Sequence, residues 1–150
     1  MNNLKYIIRE IKEEDLDEQR GFFKTLSNFG KTESLTKEQI KNVFQELKKE
    51  NCYIFVAVAE DAQIVGIIKL IIDQKFFHQG AKAGHIEDVV VRKEFENMGI
   101  ARSLIKQVVS KAKKMGCYKV ILDCRDELIP FYKKFGFNEY ENCLRINLKK

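Results

Sequence analysis

Several residues within 84–137 have the types and spacing expected of an anion-binding site. Gly99 and Ala101 are small residues at the start of an amphipathic helix, so backbone N–H groups there can approach a ligand closely. The unpaired N–H groups at a helix N-terminus favour a negative charge, and Arg102 adds a formal positive charge. This pattern predicts a pyrophosphate-binding loop, although a plain tight turn would have the same small residues.

Two adjacent carboxylates, Glu87 and Asp88, stand inside an otherwise apolar strand with the sequence HIEDVVV. Neighbouring residues of a strand face opposite sides, so we expect at least one carboxylate to point toward a covered face. A buried carboxylate is costly unless it is paired or hydrogen-bonded. We therefore expect contact with a ligand or a local distortion of the strand. The alternative is that both residues lie at a solvated strand end.

Asp123 and Tyr132 are two further candidates for chemistry. Asp123 closes the strand KVILDC, and ligands of open α/β sheets gather at the carboxyl ends of strands. Tyr132 lies in the segment FYKKFGF, where its phenol could donate a proton. An aromatic residue in that segment could equally belong to the core.

Hydrophobic periodicity predicts the elements that must position these residues. Strands are predicted at 5–10, 53–59, 64–73, 85–91, 119–124 and 144–148. Helices are predicted at 15–29, 36–49, 100–115 and 128–135. This order predicts a single α/β (α+β) domain over residues 1–150, with one mixed sheet and helices packed on both faces.

The composition, 45% hydrophobic and 33% charged, is typical of a globular domain. No apolar run approaches the roughly 20 residues needed to span a bilayer. The N-terminal segment turns acidic before the apolar core of a signal peptide could form. We therefore expect a cytoplasmic protein without a membrane span.

The cysteines and histidines argue against a metal site. The four cysteines form no CxxC pair, and the chain has only two histidines. A disulfide framework is not expected in a chain of this length and apolar content. We expect reduced cysteines that act as small core residues, and no metal.

Positive charge is concentrated in the second half of the chain. Residues 1–74 have 11 basic and 13 acidic side chains, whereas residues 75–150 have 16 and 9. An uneven solvated surface would explain this, and so would a site for a small polyanion. Nucleic acid fits less well, because the lysines are scattered along amphipathic helices without interleaved aromatic residues.

The motifs together resemble a known enzyme family. A strand, a G-x-A loop, a helix, a strand and the segment FYxKxGF resemble the GNAT acetyltransferase superfamily. GHIEDVVV, GCYKVILDC and FYKKFGF are more narrowly similar to eukaryotic glucosamine-6-phosphate N-acetyltransferases. This narrow resemblance covers residues 75–137, and a looser one extends back to Tyr6.

The resemblance implies the GNAT fold, with a mostly antiparallel sheet, and an enzyme that uses acetyl-CoA. The acetyl group would pass directly to the 2-amino group of glucosamine 6-phosphate, a step in UDP-N-acetylglucosamine biosynthesis. It also implies a homodimer with shared active sites.

Roles for individual residues are implied in the same way. The acetyl and pantetheine arm would pair with the backbone of Val89, Val90 and Val91. The pyrophosphate would lie against Asn97, Met98, Gly99, Ile100, Ala101 and Arg102. Tyr132 would contact the cofactor and protonate or stabilise the departing thiolate.

On the substrate side, Glu87 and Asp88 would bind sugar hydroxyls or the amine, and Asp123 would orient the amino group. Contacts to the sugar phosphate would come from Ser27, Lys75, His78, Tyr118, Lys119 and Arg145. Some of these contacts would cross the dimer interface.

Three residues depart from the family pattern. Glu96 replaces the usual Gln or Arg at the start of the pyrophosphate loop, and Leu128 replaces an Asn that contacts the cofactor; both changes predict weaker cofactor binding. Ser27 replaces a Thr, which is a mild change. Two alternatives therefore stay open: a GNAT enzyme for another small amine or protein amine, and a non-catalytic acetyl-CoA-binding module.

Overall fold

Five strands and five helices are present in residues 3–32 and 34–149, which the computed structural model describes. The strands are β1 (Tyr6–Glu10), β2 (Cys52–Ala59), β3 (Ile64–Gln74), β4 (Lys82–Val91) and β5 (Cys117–Leu122). The helices are α1 (Phe22–Leu26), α2 (Lys37–Lys49), α3 (Phe77–Gly80), α4 (Ile100–Lys114) and α5 (Ile129–Lys133). Within the described ranges, none of these helices has the length and apolarity needed to cross a bilayer.

The strands form one mixed sheet in the order β1-β2-β3-β4-β5. The first four strands pair antiparallel, and β4 pairs with β5 in parallel. A parallel pair needs a long crossover connection, and α4 provides it. The predicted mixed, mostly antiparallel sheet is confirmed.

Helix α4 covers one face of the sheet. Its buried side chains recur at helical spacing and comprise Ile100, Leu104, Ile105, Val108 and Ala112. Gly66 of β3 lets the first turn of α4 approach closely, because a Cβ at Gly66 would lie 2.7 Å from a methyl carbon of Ile100. The start of α4 is thereby held directly against the sheet.

The opposite face is covered only in part. Phe22 of α1 packs with Ile54, Val56 and Ile67 of the central strands, and Leu47 of α2 adds to this cluster. These contacts confirm the prediction of helices on both faces. The helices cover β5 less than the central strands, and Ile121 of β5 is 45% exposed. This edge of the sheet is therefore accessible.

The predicted helix at 15–29 was wrong. The segment forms two 3-10 turns, Glu13–Leu16 and Glu18–Arg20, before the short α1. Asp15 is fully buried and accepts hydrogen bonds from Arg9 at 2.6 and 2.8 Å, and Gly21 has a positive φ of 78°. The contact between β1 and Asp15 and the left-handed glycine together prevent one continuous helix.

The predicted strand at 144–148 was also wrong. These residues have no strand partner within residues 3–32 and 34–149. The alternating apolar residues are instead exposed, with Leu144 at 93%, Ile146 at 81% and Leu148 at 88%. The segment therefore has a strand-like sequence pattern but no strand partner among the residues that the structure describes.

The other predicted elements are confirmed, with shifted ends. The predicted capping box at Thr36 and Gln39 opens α2. Strand β4 starts at Lys82 rather than His85, and the last helix is shorter than predicted, at Ile129–Lys133. All four cysteines are free thiols; Cys52, Cys117 and Cys124 pack half-buried against the core, whereas Cys143 is exposed and is not the core residue that was expected.

Candidate active site

A bulge in β4 lies at the two adjacent carboxylates. Lys69 of β3 stands opposite Glu87, and Ile67 stands opposite Val90, so Asp88 and Val89 together face Ile68 alone. Asp88 has a φ of 54°, which non-glycine residues rarely adopt. The strand is thus locally distorted, which was one of the two outcomes expected of carboxylates in this strand.

The bulge places both carboxylates on the same face of the sheet. Glu87 stands opposite Lys69, and Asp88 Oδ2 lies 2.9 Å from Lys69 Nζ. The simple rule that neighbours alternate sides therefore does not hold here. Burial alone would lower the pKa of Lys69, but its hydrogen bond and attraction to Asp88 outweigh burial and leave that pKa raised. Asp88 is thus held by a charged partner.

The pairing between β4 and β5 ends before β4 does. The last pair is Ile86 with Leu122, whereas β4 continues to Val91. In the part of the chain that the structure describes, no strand pairs with this edge of residues 87–91. Backbone N–H and C=O groups on that edge can therefore bond to a ligand. Val89, Val90 and Val91, the predicted acetyl-binding residues, lie here.

The loop that follows β4 is anchored by a buried arginine. Arg92 is 4% exposed and donates to the carbonyl oxygen of Ile64 at 2.6 Å, to that of Gly21 at 3.1 Å and to Thr25 Oγ1 at 3.1 Å. These bonds fasten the end of β4 to β3 and α1. The start of the predicted pyrophosphate loop is therefore fixed in place.

The loop itself leads into the N-terminus of α4 through two left-handed residues. Asn97 has a φ of 62° and Gly99 a φ of 81°. Among the described residues, no side chain caps the first turn of α4, which leaves its backbone N–H groups available to an anion. Arg102 is exposed on that turn, with its guanidinium carbon 5.9 Å from the Phe135 ring centre.

The remaining residues of the predicted loop differ in exposure. Ile100 is buried in the core beneath α4, and Met98 is exposed. Ala101 is half-buried and Glu96 is exposed. Because Glu96 is exposed, its carboxylate can stay in solvent. This difference from the family pattern therefore does not prevent a polyanion from binding at the loop.

Asp123 lies beside Glu87 because of the parallel register. Glu87 follows Ile86, Asp123 follows Leu122, and those two preceding residues are paired. His85 lies between the carboxylates, with Nε2 3.2 Å from Glu87 Oε1 and 3.9 Å from Asp123 Oδ1. The ligand atoms of these three side chains lie within 4.8 Å of one another. The predicted pair of Glu87 and Asp123 is thus brought together, whereas Asp88 bonds to Lys69.

Tyr132 lies on α5 in the core cluster that includes α4. It is 7% exposed, and its ring centre is 5.1 Å from that of Phe131 and 6.0 Å from that of Phe137. Burial raises the pKa of the Tyr132 phenol, and the charge of Cys124 adds to this effect. The phenol therefore keeps its proton at neutral pH, as a proton donor must.

Four of the predicted phosphate-binding residues cluster at the other end of β4 and β5. The His78 and Tyr118 rings are 4.1 Å apart, and Lys119 Nζ is 5.4 Å from the Tyr118 ring centre. Lys75 and Lys119 line a cavity of about 250 Å³. Lys75 is hydrogen-bonded to Asp73, which raises the pKa of Lys75. We call Lys75, His78, Tyr118 and Lys119 the basic cluster.

Two predicted substrate residues lie apart from both the carboxylates and the basic cluster. Ser27 is exposed at the end of α1, and its Oγ donates to the carbonyl oxygen of Lys24 at 2.6 Å. Arg145 is exposed within the C-terminal segment that lacks a strand partner. Leu128, which differs from the family pattern, is 42% exposed and directly precedes α5.

The sequence interpretation missed Lys69, His85 and Arg92. Lys69 is the one charge in the apolar run IVGIIKLII, which could have identified it as a partner for a buried carboxylate. His85 is two residues from Glu87 and so shares its face. The bonds of Arg92 to α1 and β3 gave no signal in the sequence, because they join residues far apart in the chain.

Residues 10–137 match the model of the acetyltransferase (GNAT) family. The chain belongs to this family. Its members transfer acetyl groups from acetyl-CoA, so the chain is an acetyl-CoA-dependent N-acetyltransferase, as the motifs predicted. The open edge of β4 and the uncapped N-terminus of α4 fit this cosubstrate, which has an amide-containing arm and a pyrophosphate.

Two relatives and one solved structure are similar along most of this GNAT chain. Glucosamine 6-phosphate N-acetyltransferase 1 of Oryza sativa subsp. japonica is 34% identical over 137 residues, 89% of this chain and 82% of the relative. A probable glucosamine 6-phosphate N-acetyltransferase of Drosophila melanogaster is 35% identical over 133 residues, 87% of this chain but only 59% of the relative's length. The crystal structure of the Arabidopsis thaliana glucosamine-6-phosphate N-acetyltransferase superposes with a TM-score of 0.91 at 31% identity, covering 97% of this chain and 99% of that one.

Proposed function

We propose that the chain is a glucosamine 6-phosphate N-acetyltransferase that transfers acetyl from acetyl-CoA to the sugar 2-amino group. The observation that carries the proposal is the carboxylate pair Glu87 and Asp123, which adjoins the unpaired edge of β4. An amine held by these carboxylates would lie next to a thioester held by that edge. The names of the relatives support the sugar phosphate as the acceptor.

In this proposal the cosubstrate binds along β4 and α4. The backbone of residues 89–91 pairs with the acetyl and pantetheine arm in the manner of an added strand. The N–H groups around Gly99, Ile100 and Ala101 bind the pyrophosphate, with Asn97 and Met98 beside it and Arg102 adding charge. This arrangement aims the thioester at the end of β5.

The acceptor amine is positioned by Glu87 and Asp123 and attacks the thioester carbonyl directly. A bond forms from nitrogen to the acetyl carbon, and the bond from that carbon to sulfur breaks. The amine releases one proton to water at the open face, the sulfur gains one from Tyr132, and the Tyr132 phenolate then regains a proton from water. Positioning and charge stabilisation provide most of the rate enhancement, and a proton donor typically adds about 10²–10⁴-fold.

The sugar phosphate is bound by the basic cluster. Lys75 and Lys119 provide formal positive charge, and His78 and Tyr118 provide further donors. Lys119 and Asp123 are four strand residues apart, which is about 13 Å along β5. Such a separation favours a site in which the basic cluster of one protomer binds the phosphate of a substrate whose amine lies at the carboxylates of the partner.

We also propose that the protein is a homodimer joined through its C-terminal segment. Residues 144–148 alternate apolar and polar side chains, and the three apolar ones are at least 81% exposed. An extended apolar segment without a partner is stabilised when it adds to the sheet of another molecule. Arg145 lies on this segment and would reach the partner's substrate, and Ser27 would complete the phosphate contacts.

Four free thiols suit a cytoplasmic location.

Release of CoA thiol with different amines tests the substrate. We expect glucosamine 6-phosphate to give a higher kcat/KM than glucosamine, lysine or a polyamine. Lys119→Met should raise the KM for glucosamine 6-phosphate about 10- to 100-fold, because a charged hydrogen bond to phosphate is lost. Lys113→Met, on the exposed last turn of α4, is the matched control and should leave that KM unchanged.

Two results would contradict this substrate assignment. Turnover with another amine but none with glucosamine 6-phosphate would indicate a GNAT enzyme of different specificity. Binding of acetyl-CoA without turnover of any amine would indicate a non-catalytic module.

Replacing Tyr132 by Phe tests the proton donor. We expect kcat to fall by about 10²–10⁴-fold because the thiolate leaves without a proton, while the Kd for acetyl-CoA changes little. Single-turnover kinetics and acetyl-CoA titration measure the two quantities. Tyr53→Phe, a half-buried tyrosine of β2, is the control. A chemical step of unchanged rate in Tyr132→Phe would exclude this role.

Removing the apolar side chains of the C-terminal segment tests the dimer. We expect the wild-type protein to have twice the chain mass in light scattering, and the triple variant Leu144→Ser, Ile146→Ser, Leu148→Ser to be monomeric with reduced kcat/KM. Val43→Ser, at an apolar residue 49% exposed on α2, should leave the mass unchanged. A monomeric wild type, or a triple variant that stays dimeric, would refute the proposed interface.

A further inference from the structure

One histidine within the site has no role in the mechanism above. His85 Nε2 is 3.2 Å from Glu87 Oε1 and 3.9 Å from Asp123 Oδ1. This atom is buried, and it has no hydrogen-bond partner among the described residues. We infer that His85 is the positioning residue that holds the Glu87 and Asp123 carboxylates in the arrangement that receives the substrate amine. The inference rests on the proposed function.

The fold holds His85 rigidly between the two carboxylates. His85 is two residues before Glu87 on β4, so both side chains are on one face of the sheet. It pairs with Ile121 of β5, which is two residues before Asp123. His85 thus lies within the parallel strand pair, and Glu87 and Asp123 each follow its last pair, Ile86 with Leu122, by one residue.

Charge explains why a residue is needed at this position. The oxygen atoms of Glu87 and Asp123 belong to a cluster within 4.8 Å, where two carboxylates repel each other. An Nε2–H near both carboxylates presents the positive end of a dipole to them, which counteracts that repulsion before the amine arrives, although neither contact has hydrogen-bond geometry. Asp123 has a second neighbour, the Cys143 thiol, whose pKa its charge raises, but Glu87 has no other close partner among the ion pairs of the described residues.

His85 lies beside the acceptor carboxylates and away from the donor site. Its Nε2 is near Glu87 and Asp123, whereas the unpaired edge of β4 begins after Ile86. The ring also lines the cavity of about 250 Å³ that Lys75 and Lys119 of the same chain line. Loss of His85 should therefore appear in the kinetics of the acceptor and not in those of the donor.

Steady-state kinetics of two substitutions test the inference. His85→Leu removes the donor, and we expect kcat/KM for glucosamine 6-phosphate to fall roughly 10- to 100-fold, as for a misplaced reacting group. The KM for acetyl-CoA should stay within about twofold, since the β4 edge and the α4 N-terminus are unchanged. His85→Gln keeps a side-chain N–H and should recover much of the loss, which a purely structural role would not predict.

The possible results separate this inference from the proposed function. Normal wild-type turnover with unchanged acceptor kinetics in His85→Leu would overturn the inference alone. A wild-type protein that releases no CoA with glucosamine 6-phosphate would overturn both. If His85→Leu does not fold, His85→Met replaces it in the comparison with His85→Gln, and equal kinetics of these two would overturn the inference. Loss of wild-type activity in EDTA, restored by zinc, would also overturn it, because His85 would then be a metal ligand.

Discussion

The bulge at Asp88 is the constraint on which the geometry of the site depends. A left-handed conformation at a non-glycine residue costs on the order of 1–3 kcal/mol. The ion pair of Asp88 with Lys69 at 2.9 Å and the burial of Ile67 and Val90 around it offset that cost. The bulge places Glu87 and Asp88 on the same face of the sheet. It lies in the part of β4 that continues beyond the last pair with β5. The distortion therefore lies between Glu87, a proposed acceptor residue, and the open edge proposed for the donor.

The surrounding fold keeps this distortion in place. Arg92 fastens the end of β4 to β3 and α1 with three buried hydrogen bonds, and Gly66 allows α4 to approach β3. The N-terminus of α4, the proposed anion site, and the open edge of β4 are thereby held in fixed relation. Such rigidity suits an enzyme whose residues contribute mainly by positioning two substrates.

Local sequence patterns predicted the elements that depend on local interactions. The capping box at Thr36 and the regular apolar spacing of α4 were sufficient for two helices. The segment at 15–29 was mispredicted because Asp15 is bound by Arg9 of another element, which periodicity does not reveal. The apolar alternation at 144–148 predicted a strand that does not form, because a strand also needs a partner and none of the described residues provides one.

The site was predictable in its residue types more than in its geometry. Glu87, Asp123 and Tyr132 were proposed as candidates from their chemistry, whereas the shared face of Glu87 and Asp88 follows from a φ that the sequence does not specify. The contact of His85 with Asp123 depends on the parallel register of β4 and β5, which arises only when α4 packs on the sheet.

Binding of acetyl-CoA at the unpaired edge of β4 can be measured by hydrogen exchange of backbone amides, followed by NMR with and without saturating acetyl-CoA. We expect at least one amide of residues 89–91 to exchange about tenfold or more slowly when the ligand is bound, because a free N–H becomes hydrogen-bonded. Amides of residues 83–86, which β3 and β5 already flank, should change little. Unchanged exchange at residues 89–91 under saturating acetyl-CoA would show that the ligand does not bind along this edge.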